Sequence, residues 1–321
     1  MIDLHHMSRS LGISRTDLVE IVRRGPDRYK EYEIDKRAGG KRLIAQPSRE
    51  LKAVQRYLSE NFFSQFPISK FATAYRKGKS IRDNAQQHRK ARFLLKTDFS
   101  NFFHSFAPAD IDWLFATNGI VLEKSEVSFL KLSIFWRPKG SRFYTLAMGA
   151  PTSPLITNIM MHGIDERLGE FCQRNEVAYT RYADDVALSA RSRDRLLEAE
   201  AVFRTIISNS ERPKLKFNED KRGIYGPGQR REVTGLIITP DGKISVGRDR
   251  KRQISAAVDH WRRGVGMADI EVERLRGLLA FCNAVEPRFI DRLRAKYGDN
   301  CIAELFDRKR MSFWSPEHLF G

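Results

Sequence analysis

Val177–Ser189 reads VAYTRYADDVALS, and its two adjacent carboxylates, Asp184 and Asp185, interrupt an otherwise apolar, β-branched and aromatic run. Two apolar β-runs flanking a polar pair predict a hairpin with both aspartates at its tip. Like charges held that close cannot both stay ionised cheaply away from water, so burying the pair without a cation is costly. A third carboxylate stands upstream: Asp98 closely follows the apolar run Phe93-Leu94-Leu95 in FLLKTDFSNFF. Carboxylates from the ends of two different strands, converging on divalent ions, make a two-metal phosphoryl-transfer site. Asp is a favoured turn residue, so an isolated Asp-Asp carries no catalytic meaning. Its company in this chain gives it one.

Tyr182-Ala183-Asp184-Asp185 resembles the catalytic hairpin of reverse transcriptases, and Asp98 to Phe103 resembles their first palm motif. Met148-Gly149-Ala150-Pro151-Thr152-Ser153-Pro154, followed by Asn158, resembles their intervening turn-and-helix motif. Asn84-Ala85-Gln86-Gln87-His88 matches the NAxxH signature of bacterial retron reverse transcriptases, and Val233-Thr234-Gly235 matches their VTG signature. The motifs stand in the family's order between Leu4 and Phe306. The resemblance implies an α+β right-hand polymerase, with fingers, a palm of antiparallel sheet plus helices, and a helical thumb. Its expected division is 1–92 for N-terminal helices and fingers, 93–235 for the palm, and 236–321 for the thumb and RNA-binding region.

The coarse element order agrees with a mixed α+β fold. Leu11–Arg23 has helical spacing with Ser14 as N-cap, and Lys36–Lys41, KRAGGK, reads as a hairpin turn. Helices are expected over Ser48–Phe63, Ser80–His88, Ser125–Trp136, Pro154–Phe171 and Arg191–Ser208. The chain carries 57 Lys+Arg against 40 Asp+Glu, a net charge of +17, which points to a polyanionic partner, nucleic acid ahead of membrane. No apolar run approaches the roughly 18–20 residues that span a bilayer. MIDLHHMSRSLG has no signal-peptide core, and Cys172, Cys282 and Cys301 lack CxxC spacing, so a cytoplasmic protein without zinc or disulfides is expected.

DNA synthesis needs an activated 3′-hydroxyl and a neutralised triphosphate, and two Mg2+ ions with oxygen ligands supply both. Asp98 and Asp184 are the first-choice ligands, with Asp185 weaker and nearer the primer terminus. The resemblance adds the Phe99 backbone carbonyl as a ligand. It places Arg42, and more weakly Lys41, on the triphosphate of the incoming dNTP. It makes Phe103 the ring that excludes a 2′-hydroxyl. Strand alternation would put one of Phe102 and Phe103 in the core but does not say which. Gly149 permits close backbone approach to the nucleotide. Most reverse transcriptases have Gln where Met148 stands, so that contact is lost or replaced. Lys221 matches the basic residue that protonates leaving pyrophosphate.

From Lys221 to Arg263 eleven Lys+Arg meet four Asp+Glu. If about six of them met phosphates, log affinity would fall with log salt at a slope near about −5. Arg248, Arg250, Lys251 and Arg252, with Val233, Thr234 and Gly235, belong to the region expected to grip a cognate noncoding RNA stem-loop. Asn84 and His88 are expected on an RNA-facing element. The resemblance further implies priming from the 2′-hydroxyl of an internal guanosine to give branched RNA-linked DNA, in anti-phage defence with a separate effector protein. The alternatives are a group II intron-like or other bacterial reverse transcriptase, or an RNA-binding antitoxin scaffold.

Overall fold

A computed structural model describes residues 2–35 and 39–307, which form two compact units: 2–80 with 91–224, and 81–90 with 225–307. The boundary therefore departs from the expected 92/93 and 235/236 divisions. The short helix Ile81–Gln87 belongs with the C-terminal unit because it packs on that unit's sheet, not on the residues that flank it in sequence.

In the first unit, β1 (Tyr29–Asp35) and β2 (Lys41–Pro47) form an antiparallel hairpin in register from Tyr29↔Pro47 to Asp35↔Lys41. Lys36, Arg37 and Ala38 of the expected turn lie outside the described residues. Helix Arg49–Asn61 starts where Ser48 accepts a hydrogen bond from the Leu51 amide, and it buries Leu51, Val54 and Leu58 on one face. Helix Arg15–Arg23 is capped by Ser14, as its sequence predicts, and an additional helix, Leu4–Leu11, precedes it across Gly12.

The central sheet is built from β3 (Phe93–Thr97), with β4 (Phe135–Trp136) and β5 (Thr145–Leu146) as a separate small ribbon, then β6 (Ala178–Tyr182), β7 (Asp185–Ala190) and β8 (Gly223–Tyr225). Its order is β6-β7-β3-β8, and β7 runs antiparallel to both β3 and β6. One apolar core covers it, drawing on Leu95, Phe99, Ile156, Leu168, Val186, Leu188, Phe203 and their neighbours. Val186–Ala190 is buried throughout, which explains why β7 reads as a continuous apolar run and not as an alternating one.

Two expected helices change form. Pro154–Phe171 is two helices, Ser153–Met160 and His162–Arg174, joined at Met161. Ser125–Trp136 is helical only within Lys124–Ile134, because Phe135 and Trp136 turn extended and pair with Leu146 and Thr145. In the second unit, β9 (Arg231–Val233), β10 (Leu236–Ile238) and β11 (Ile244–Ser245) form a sheet of order β11-β10-β9. Helices Arg248–Arg262, Asp269–Val285, Pro287–Tyr297 and Asp299–Phe306 bury Ile254, Val258, Leu279, Ile290 and Ile302 among themselves. No helix among the described residues is long and apolar enough to cross a membrane.

Candidate active site

Strand register brings the three aspartates together. Tyr182 pairs with Asp185 at the mouth of the β6–β7 hairpin, which leaves Ala183 and Asp184 as its tip. Ala183 takes the left-handed conformation that so tight a reversal needs, at φ +57°. Across β7, Thr97 pairs with Val186, so the residue that follows β3, Asp98, emerges beside Asp185. Phe99 and Phe217 then form an antiparallel bridge, the Asn218 amide donates to the Asp98 carbonyl at 2.8 Å, and the following turn Glu219–Lys221 delivers the Lys221 ammonium to Asp98 Oδ2 at 2.8 Å.

The electrostatics are those of crowded negative charge. Asp98 is only 4% exposed. Burial raises the carboxyl of Asp184, and the charge of Asp98 raises it further, against the opposing charges of Lys221 and Arg42. Asp185 opens to solvent, but its carboxyl is raised by desolvation in the recess and next by the charge of Asp184, and it lies within hydrogen-bonding reach of Asp98. Burial depresses the Lys221 ammonium, yet its hydrogen bond to Asp98 and the surrounding carboxylates outweigh that and leave it raised. Among the described residues no three His, Cys, Asp or Glu side chains already form a metal cage. The donor set nonetheless fits a hard divalent cation: it consists of carboxylate oxygens, and their mutual repulsion is what such an ion relieves.

The other expected nucleotide residues are placed unequally. Arg42, exposed on β2, acts electrostatically on Asp184, whereas Lys41 is engaged across its own hairpin with Glu33 at 2.9 Å. Phe102 and Phe103 lie in a turn running into the 3₁₀ segment Phe103–Ser105, so strand alternation does not apply to them. Both rings are buried, edge to face at 5.6 Å, and Phe102 also packs on Phe99 and Phe106. Gly149 does permit a close backbone approach, but the neighbour is protein. At φ +117°, a Cβ there would meet the Ala45 carbonyl oxygen at 2.8 Å, while the Ala45 amide donates to the Met148 carbonyl at 2.9 Å. The turn-and-helix motif is thereby tied to β2, the strand that carries Arg42.

In the second unit the two retron signatures meet. The Asn84 amide reaches Thr234 Oγ1 at 3.5 Å, and that hydroxyl donates to the Ile81 carbonyl at 3.3 Å. Asn84, His88 and Val233 are buried, so within the element expected to face RNA their side chains point into the unit and join helix to sheet. Burial also pushes the His88 imidazole down to about 4. Thr234 adopts φ +48° and Gly235, exposed, φ +78°, so the signature forms the sharp β9–β10 turn.

The basic stretch is less available than its composition suggests. Arg222, Arg230, Lys243, Lys251, Arg262 and Arg263 all have carboxylate partners, Lys251 with Glu286 at 2.5 Å. Arg248 and Arg252 stand exposed on their helix, and Arg250 lies over the Phe281 ring at 5.5 Å. The sequence reading missed Arg181 and Asp165, a fully buried ion pair directly behind the hairpin tip. The only signal was Arg181, a charge inside an apolar strand; Asp165 sits in the helix His162–Arg174 and reads as an ordinary helix residue.

Comparison with known proteins follows the same lines. The reverse transcriptase (RNA-dependent DNA polymerase) family model matches residues 34–238. The retron Ec83 reverse transcriptase of Escherichia coli is 37% identical over 281 residues, covering 86% of this chain and 89% of its own length. The retron Ec86 reverse transcriptase of the same organism is 32% identical over 309 residues, covering 94% and 92%. The solved structure of apo telomerase from Candida tropicalis aligns with a TM-score of 0.50 at 12% identity, over 87% of this chain and 57% of that one, a likeness of fold alone.

Proposed function

Because the chain belongs to the reverse transcriptase family, and within it to the retron enzymes, we propose that it copies part of a cognate structured noncoding RNA from the 2′-hydroxyl of an internal guanosine. It is an RNA-directed DNA polymerase of the right-hand α+β fold. The product of the proposed reaction is branched, RNA-linked single-stranded DNA, made in the cytoplasm and serving anti-phage defence with a separate effector protein.

The observation that carries the catalytic reading is the meeting of Asp98, Asp184 and Asp185 at adjacent strand ends with the Lys221 ammonium on Asp98. Asp98 and Asp184, helped by Asp185 and the Phe99 carbonyl, would hold two Mg2+ ions. Bound there, the ions would make the primer hydroxyl nucleophilic and neutralise charge on the triphosphate. Arg42 pairs with that triphosphate, and Lys41 joins it on leaving Glu33. Lys221, kept protonated by its carboxylate neighbours, gives its proton to the departing pyrophosphate. Phe103 closes the space a 2′-hydroxyl would occupy, and Gly149 keeps the Ala45 strand against the site. RNA is held by Arg248, Arg250 and Arg252, by Lys251 in exchange for Glu286, and by the exposed Gly235 turn, with Asn84, His88, Val233 and Thr234 shaping that turn from within.

The test is to purify the protein from cells carrying its flanking locus and to treat the bound nucleic acid separately with RNase and DNase, beside Asp98→Asn and Asp184→Asn variants. A discrete short DNA joined to RNA is expected with the parent and absent from both variants, with RNA affinity kept. RNA alone in every sample would refute self-primed synthesis. Primer extension at parental rate by either variant would refute the site.

A further inference from the structure

Behind the hairpin tip lies a polar cluster without access to solvent. Arg181 and Asp165 are 0% exposed and Asn158 is 1% exposed. The Arg181 guanidinium donates from Nε to Asp165 Oδ1 at 2.9 Å and from Nη2 to Asp165 Oδ2 at 2.6 Å. Nη2 also reaches Asn158 Oδ1 at 3.2 Å, and the Tyr179 hydroxyl donates to Asp165 Oδ1 at 2.6 Å. The backbone of Arg181 is held as firmly: its amide donates to the Phe71 carbonyl, and its carbonyl accepts from the amide and hydroxyl of Thr73.

Stability does not account for such a cluster, since apolar residues of similar volume commonly serve a fold as well as a buried ion pair does. Its remaining bonds indicate another use. Nη1 of Arg181 donates to the carbonyl of Ala183 at 2.9 Å, the peptide that leads directly into Asp184. Ala183 stands at φ +57°, a left-handed conformation that strains a residue with a Cβ and must be held from outside. Asn158 Nδ2 donates to the Ala74 carbonyl at 3.0 Å, immediately before Tyr75, which is itself left-handed at φ +58° and lies in the field of Asp184 and Arg42. One buried network thus grips the peptides next to two strained residues beside the carboxylates.

We infer that Arg181, oriented by Asp165 and Asn158, is a positioning residue that fixes the Ala183–Asp184 peptide and hence the direction in which Asp184 presents its carboxylate. A fork with several fixed donors can hold Asp165 and the Ala183 carbonyl together, whereas the single ammonium of a lysine cannot. The inference rests on Asp184 being the metal-binding carboxylate proposed above.

The experiment compares the parent with the double variant Arg181→Met/Asp165→Leu, which removes both buried charges, and with Arg181→Lys, which keeps charge without the fork. Pre-steady-state primer extension, with primed template in excess, is normalised to burst amplitude, so that only folded molecules count. Mn2+ binding is read independently by the loss of the free-ion EPR signal, and template affinity by filter binding. A misplacement near 1 Å predicts a rate loss of about 10²-fold. Mn2+ half-saturation should rise about tenfold while template affinity stays within about twofold, as expected for a device acting on ligand geometry. Arg181→Lys should show the same direction and is read alone if the double variant does not accumulate. Normalised rate and Mn2+ binding close to parental in either folded variant would reduce the cluster to packing and overturn the inference. Asp184→Asn run in parallel separates the two claims: parental activity there refutes the site itself, whereas an inactive Asp184→Asn beside an unaffected Arg181 variant refutes only the positioning role.

Discussion

Gly149→Ala should damage both stability and nucleotide use, by two effects that can be separated. At φ +117° an alanine is strained by about 1–3 kcal/mol. Its Cβ would also stand 2.8 Å from the Ala45 carbonyl oxygen and 3.1 Å from Ile44 Cγ2. The nearer atom is backbone and cannot swing aside, so β2 must retreat, stretching the 2.9 Å bond from the Ala45 amide to the Met148 carbonyl. Overpacking of that kind costs a further 1–3 kcal/mol or so. A total near 3 kcal/mol corresponds to a melting temperature lowered by roughly 6–12 °C for a unit of this size. Because β2 carries Arg42, the KM for dNTP should rise more than kcat falls. Gly140→Ala is the control: its φ is +75°, but nothing lies within 4 Å of the added Cβ, so it reports backbone strain alone. Thermal unfolding and steady-state extension of a primed RNA template, with dNTP varied, measure both quantities. A melting temperature no lower than that of Gly140→Ala, with an unchanged KM, would refute the coupling of this turn to β2.

Two further outcomes follow from the second unit. Replacing Arg248 and Arg252 together by Gln should weaken binding of the cognate RNA and flatten the log affinity versus log salt plot by about 2, one unit per phosphate contact; the same change at Arg262 and Arg263, both paired with Asp259, should alter the slope less. His88 is neutral in the folded chain until about pH 4, whereas the unfolded chain takes up its proton near pH 6.5. Stability from this group is therefore complete above the unfolded value and is lost as pH falls towards the folded one, by about 2 kcal/mol between pH 7 and pH 5. Hydrogen exchange of the Ile81–Gln87 amides at the two pH values should show that loss in the parent and a smaller one in His88→Gln. An equal loss in both would assign it to other groups.

Much of the active site could be read directly because its signals are local. An apolar run, a polar pair and a second apolar run specify a hairpin and put Ala183 and Asp184 at its tip. Ser14 and Ser48 marked helix starts by side-chain hydrogen bonds that depend only on the next few residues. Both halves of the Pro154–Phe171 prediction are helical, but the break between them was missed for the complementary reason: Met161, where the chain breaks, is neither Gly nor Pro.

The sequence by itself determined the α+β class, the carboxylate hairpin and the family, since each is written in residue order and spacing. Tertiary structure alone decided the partners: that Asp98 meets Asp185 through the register of β3 on β7, that Lys221 arrives through a backbone bridge at Phe217, and that Gly149 makes room for Ala45. It also decided which polar residues turn inward. Arg181, Asp165, Asn84 and His88 look on paper like surface or ligand-binding groups, and all are buried. Burial is a property of what packs against a side chain from distant parts of the chain, and no local pattern of residue types contains that information.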